Sequence, residues 1–258
     1  MKTRLFILLL LSCNVLLAQT TMNLYFNNGS TIQYQINDID TITYKNVTCP
    51  TSVTDVEGNS YTTAQYGYQC WMTENLKTGH YQNGAPIITG LVGYDWSSNS
   101  VGAYENYDFD STLASKYGKL YNRGAIVNAA GLCPVGWHIP SKSEWNVLIK
   151  TVDSNADTLT WLYSNIGGAF KEIGITHWAS PNTGATNSCG FTGLPGGYRD
   201  ENGVFHNLTN TGQWWSTSIQ YNVYYYDGVS VKLSWNNTLI LNYLATFTDG
   251  LSVRCLKD

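Results

Sequence analysis

The chain has 258 residues, enough for one large domain or a small unit beside a larger one. Charged residues make up only 12% and aromatic residues 14%, with 24 glycines, a balance that favours a turn-rich β fold over a helical bundle. The formal net charge of −4 becomes −6 once Lys2 and Arg4 leave with the leader, 12 basic against 18 acidic residues, which excludes a general nucleic-acid or anionic-membrane binder.

Residues 1–18 read as a secretion signal: Lys2 and Arg4, a leucine-rich run from Leu5, and Ala18 before Gln19. The run is too short and wrongly flanked for a spanning helix, so no membrane span is expected. A lipoprotein reading would acylate Cys13. Ordinary export is preferred, because Leu11 fits a lipidation site poorly and Val15-Leu16-Leu17 continues the apolar run where a polar tether belongs. The expected location is secreted or on the outer cell surface, where disulfides persist.

Residues 19–47 predict a small β segment. Leu24, Phe26, Ile32, Tyr34 and Ile36 alternate around Asn27-Asn28-Gly29, the strongest short hairpin signal, and Ile39 and Ile42 suggest a third strand. Residues 48–258 form the main domain. A hairpin is expected around Glu57-Gly58-Asn59, then a core strand with Cys70, Trp71 and Met72. Residues 78–110 read as a long glycine- and amide-rich loop, and residues 117–128 as a short helix or strand-helix unit.

The clearest helix start follows. Pro140 forces an extended approach, Ser141 is the N-cap, and Glu144 completes a capping box. Trp145, Leu148, Ile149 and Val152 then fall at i, i+3, i+4 and i+7, one stripe that must face a core. Another short helix is expected within 158–174. Residues 177–199 form a second long loop, residues 229–235 and 239–247 a hairpin around Asn236-Asn237, and residues 251–256 a closing strand. No period repeats, which excludes a solenoid or propeller.

Several ordered motifs carry a family resemblance. They are Val53-Thr-Asp-Val-Glu-Gly-Asn59, Gln69-Cys-Trp-Met-Thr-Glu-Asn-Leu-Lys-Thr78, Leu132-Cys-Pro-Val-Gly-Trp-His-Ile-Pro140, Leu194-Pro-Gly-Gly-Tyr-Arg199, Trp214-Trp-Ser-Thr217 and Ser252-Val-Arg-Cys255. Together they resemble the Fibrobacter succinogenes major paralogous domain, from about residue 53 to 258. The resemblance implies a C-type-lectin-like α+β fold: a twisted antiparallel sheet, two main helices and long loops. It also implies that Cys133 and Cys255 are bridged, where lectin-like folds staple their ends together. Cys49 and Cys70 are the next candidate pair, leaving Cys189 as a buried small hydrophobe or a free thiol. Pieces of the chain also resemble the formylglycine-generating enzyme. That activity needs two closely placed reactive cysteines near the C-terminus, and here only Cys255 lies there.

No metal or other cofactor is expected, and the four histidines lack metal-ligand spacing. Asp153-Ser-Asn-Ala-Asp157 imitates a calcium loop, but Thr158 and Ser164 stand where glycine and glutamate belong. Ser180-Pro181-Asn182 lacks the leading acid of the lectin calcium triplet, so calcium is unsupported. His138, between Trp137 and Ile139, reads as a hydrogen-bonded structural histidine. A ligand face is expected from loops 78–110 and 177–199 beside Trp214-Trp215. The candidate contacts are Asp95, Trp96, His177, Trp178, Asn182, Asn187, Arg199 and Trp215, rings to stack on sugars and amides to bond hydroxyls. The competing reading makes the rings core, and Arg199 a buried partner of a carboxylate. Successive residues of a strand face opposite ways, so at most one of Trp214 and Trp215 should be exposed. The leading function is a non-catalytic binding module for a carbohydrate or surface protein. A structural or adhesive surface component comes second and an enzyme third, since no nucleophile, base and orienter line up.

Overall fold

The computed structural model describes residues 21–25, 31–35, 48–158, 162–221 and 226–258. The chain divides into two units, Met1–Asn46 and Val47–Asp258. In the first, β1 (Thr21–Tyr25) pairs antiparallel with β2 (Thr31–Gln35), Tyr25 opposite Thr31, as the alternation predicts. The leader, Cys13, the Asn27-Asn28-Gly29 turn and the third strand expected at Ile39 and Ile42 lie outside the described residues.

In the second unit β3 (Ser52–Thr54) and β4 (Ser60–Tyr66) flank a turn closed by Asp55, which accepts from the amides of Glu57 and Asn59 at 2.9 Å each. Gly58 sits there at φ 85°, a conformation a side chain resists. Next come β5 (Gln69–Met72), α1 (Gly93–Ser97), β6 (Tyr104–Glu105), α2 (Ser111–Tyr117), β7 (Leu120–Tyr121), α3 (Arg123–Ile126) and β8 (Trp137–His138). The chain continues through α4 (Lys142–Val152), β9 (Leu162–Ser164), α5 (Gly167–Phe170), β10 (Tyr198–Arg199) and β11 (Phe205–His206). It ends with β12 (Thr211–Tyr221), β13 (Tyr226–Ser234), β14 (Ile240–Ala245) and β15 (Leu256–Lys257).

Two antiparallel sheets dominate, one in the order β3-β4-β5-β15-β8 and one in the order β12-β13-β14-β9. The last strand inserts between β5 and β8, so the two ends of the unit share one sheet. The Cys133–Cys255 disulfide pins this closure, with Cα atoms 5.9 Å apart, and Cys49–Cys70 ties the connector to β5 at 5.2 Å. Both spans are normal for disulfides. Cys189 is free and half-buried, and its thiol donates to the carbonyl of Ala169 at 3.0 Å.

Helix α4 forms as its cap dictates. Ser141 Oγ accepts from the Glu144 amide, and Glu144 Oε2 accepts from the Ser141 amide at 2.7 Å. Its stripe buries Trp145, Leu148 and Ile149, with the rings of Trp145 and Trp71 4.7 Å apart. This cluster takes Trp214, Val231, Leu233 and Ile240 from one face of the β12–β14 sheet. Trp215, on the other face, belongs to a second cluster around Tyr121, Cys133, Val253 and Cys255. The two tryptophans do point opposite ways, and neither is exposed, because both faces are covered there.

The fold is mixed α+β, with more strand than helix. Two expectations change. Among the described residues only α4, with 11 residues, is a long helix; the other four span 4 to 7. Their segments are rich in glycine, asparagine and serine, which propagate a helix poorly. The closing strand shrinks to Leu256–Lys257, with single bridges from Leu251 to Tyr121 and from Ser252 to Trp214. Arg254 turns inward instead, donating to Asn75 Oδ1 at 3.0 Å and to the carbonyl of Thr192 at 2.8 Å. No helix of the described residues is long and apolar enough to cross a membrane.

Candidate binding cleft

The outward face of the β12–β14 sheet makes the floor of a cleft of about 920 Å³. Register decides which side chains stand there. Gln213 lies directly opposite Lys232, and Tyr243 opposite Ser230, so one face carries all four. The Lys232 ammonium lies 4.3 Å from the centre of the Tyr243 ring, and Gln213 donates to Ser230 Oγ at 3.0 Å.

One wall is the β10–β11 hairpin. Its turn is an acidic Asx turn: Asp200 Oδ1 accepts from the amides of Asn202 and Val204 at 2.9 and 2.8 Å, and Gly203 takes φ 80°. His206 Nε2 donates to Asp200 Oδ2 at 2.8 Å, and its ring stacks on Tyr198, ring centres 5.2 Å apart. The other wall is the turn after β14. There Asp249 holds Thr246 through its amide and hydroxyl, both at 2.9 Å. Reciprocal backbone bonds between Arg199 and Gly250, at 2.9 and 2.8 Å, lock the two walls together.

The carboxylates in this cleft are driven apart. Burial pushes Asp249 up to about 6 against the bonds from Thr246, with Glu201 and Asp200 adding to the rise. Burial works the same way on Asp200, but the donors from Val204, His206 and Asn202 outweigh it and hold that group low. Burial also raises Asp227 and lowers Lys232. Asp200, Glu201, Asp227 and Asp249 face one lysine and one histidine, so the lining is net negative. Among the described residues no three His, Cys, Asp or Glu side chains group to hold a metal ion.

Comparison with known proteins supplies the family. The model of the Fibrobacter succinogenes major domain matches residues 64–257. The chain belongs to that family. No curated protein and no solved structure matches it.

The cleft of this Fibrobacter succinogenes major domain is not built from the contacts expected from sequence. Trp96, Trp178, Trp215 and Arg199 are at most 2% exposed, so none is a stacking platform or contact as expected. Trp96 donates to the carbonyl of Asp200 at 3.1 Å, and its ring lies 4.1 Å from the Arg199 guanidinium. Arg199 donates to the carbonyls of Gly203 and Leu91, not to a carboxylate. Its charge is held by aromatic faces and carbonyls instead, so Trp96 and Arg199 brace the β10–β11 wall from behind.

The others gather elsewhere. His177 bonds Glu172 at 2.9 Å, Trp178 donates to the carbonyl of Gly193 at 2.9 Å, and Asn182 donates to the carbonyls of Glu172 and Gly174. Asn182 is buried at φ 45°, and Asn187, at φ 46°, closes a turn with Thr192. These amides stabilise loop backbone, the usual work of asparagine in left-handed positions. Trp215 shares the cleft's face of β12 but lies under Tyr121, to whose carbonyl it donates at 2.6 Å. Asp95 is exposed in the first turn of α1.

Sequence reasoning missed Asp200, His206, Lys232, Tyr243 and Asp249. A signal existed for part of this set. Val229, Val231 and Leu233 alternate with Ser230, Lys232 and Ser234, which marks an outward polar face.

Proposed function

We propose that this chain is a non-catalytic binding module displayed outside the cell, and that a neutral glycan occupies the cleft between the β10–β11 hairpin and the turn after β14. The observation that carries this reading is the composition of that cleft. Tyr198, Tyr243 and Phe247 stand beside carboxylates, an amide and hydroxyls, the mixture that stacks on sugar rings and bonds their hydroxyls. The net negative lining disfavours acidic polymers. A lectin-like fold is supported by the family resemblance and by the Cys133–Cys255 closure, and two disulfides suit an exported protein.

A glycan-array screen of the chain, with and without calcium, tests the reading. A neutral glycan should bind, and Tyr243→Ala should weaken it about tenfold without changing thermal stability. Binding unaffected by that substitution would move the site elsewhere, and an array with no hit would overturn the ligand class.

One observation favours a second reading. Asp249 is held near 6 while Asp200 beside it is held down, the split that an acid–base pair uses. Release of new reducing ends from a bound glycan, lost in Asp249→Asn, would make the chain an enzyme. Failure of any ligand to bind, with self-association of the protein, would instead support the structural or adhesive role.

A further inference from the structure

A second cleft, of about 450 Å³, opens on the other side of Phe247. It is lined by Ser97, Ser98, Asn99, Ser100, Arg123 and Thr248 among others, hydroxyls and two amides with no carboxylate. Phe247 lines both clefts, with Thr246 in the first and Thr248 in the second, so the two spaces meet at one ring.

That ring is set as a fixed ridge. It is 42% exposed, and its position is held by Arg123: the guanidinium lies 5.0 Å from its centre, and the Arg123 amide donates to the Phe247 carbonyl at 3.0 Å. Arg123 is itself only 9% exposed and is anchored to the carbonyls of Thr217 and Ser218. The first cleft alone sits at the upper end of the range that small ligands fill.

We infer that the ligand is an extended neutral glycan chain that crosses Phe247, with sugar units in both clefts and one unit against that ring. This rests on the reading of the first cleft as the glycan site and adds chain length to it. A fixed aromatic surface between two hydroxyl- and amide-lined spaces suits a repeating polymer whose units each offer an apolar ring face and a polar edge. Arg123 points its donors at backbone carbonyls, so the second cleft offers no free cation to an acidic polymer.

Calorimetric titration with cellulose- and chitin-derived oligosaccharides, from dimer to octamer, tests the inference. Affinity should rise with length by about tenfold or more over the dimer. Ser100→Trp, an exposed position in the second cleft, should abolish that rise while leaving dimer affinity unchanged. Phe247→Leu, which touches both clefts, should weaken the dimer and weaken the longer chains further, with circular dichroism confirming the fold. Dimer binding with no gain on lengthening would overturn the extended ligand and leave the first cleft as the site. No binding of any oligosaccharide in either series would overturn both readings. Binding of an oligolysine peptide, blocked by Ser100→Trp, would overturn the glycan and assign the groove to a basic protein segment.

Discussion

The two disulfides should differ in what they contribute, and the difference can be worked from their loops. Cys133–Cys255 closes a sequence separation of 122 residues and Cys49–Cys70 one of 21. In the chain-entropy account the longer loop stabilises by about 5 kcal/mol and the shorter by about 3 kcal/mol. Packing widens the gap, since Cys133 and Cys255 are 2% and 0% exposed in the core around Tyr121, whereas Cys49 is only partly buried against it. The double substitution Cys133→Ala with Cys255→Ala should therefore lower Tm by about 10–20 °C at the slope expected for a domain of this size. Cys49→Ala with Cys70→Ala should cost less than about two-thirds of that. Urea unfolding followed by tryptophan fluorescence gives both values on the same protein, with non-reducing peptide mapping of the parent to confirm the pairs. Equal costs, or a greater cost for the short loop, would refute the reasoning, because loop length and burial both rank them the other way.

Trp96→Ala and Trp178→Ala should each destabilise by about 3–5 kcal/mol, the range for a buried ring, measured by the same unfolding curves; stable variants that had lost only ligand binding would contradict their burial. Lys171 is fully buried, and its ammonium donates to the carbonyls of Thr183, Ser234 and Asn237. Lys171→Met leaves three acceptors unpaired and should cost about 3 kcal/mol or more, whereas a loss under about 1 kcal/mol would mean that water replaces the ammonium. His138 bridges Glu144 and Asp258 at 2.9 and 2.6 Å, and the bond to Glu144 leads the rise of its pKa from 6.5 to about 8, against burial. A raised histidine stabilises fully below 6.5 and loses that contribution as pH rises through about 8. Glu144, lowered from 4.5 to about 2 by the His138 and Ser141 donors against its burial, stabilises above 4.5 and loses it as pH falls through about 2. Stability should peak between those limits, and His138→Ala should remove the fall on the alkaline side; an unchanged alkaline limb would place the titrating group elsewhere.

Local chemistry was legible along the chain. The Ser141–Glu144 box, the Trp145 stripe, the Asp55–Asn59 turn and the alternation of β13 depend on residues within a few positions of one another, so spacing alone determines them. The opposite facing of Trp214 and Trp215 follows from the strand period in the same way. What the sequence could not decide was cover. Whether Trp96, Trp178 and Trp215 meet water depends on which distant backbone lies over them: Asp200 above Trp96, Gly193 above Trp178 and Tyr121 above Trp215. The histidines show the same division, since His177 and Glu172 are five positions apart but His138 and Asp258 are separated by 120. The cleft is the extreme case. It needs the register that sets Gln213 opposite Lys232 and the two backbone bonds that join Arg199 to Gly250. Those are pairings across the fold, and a side chain acquires its exposure only after they form.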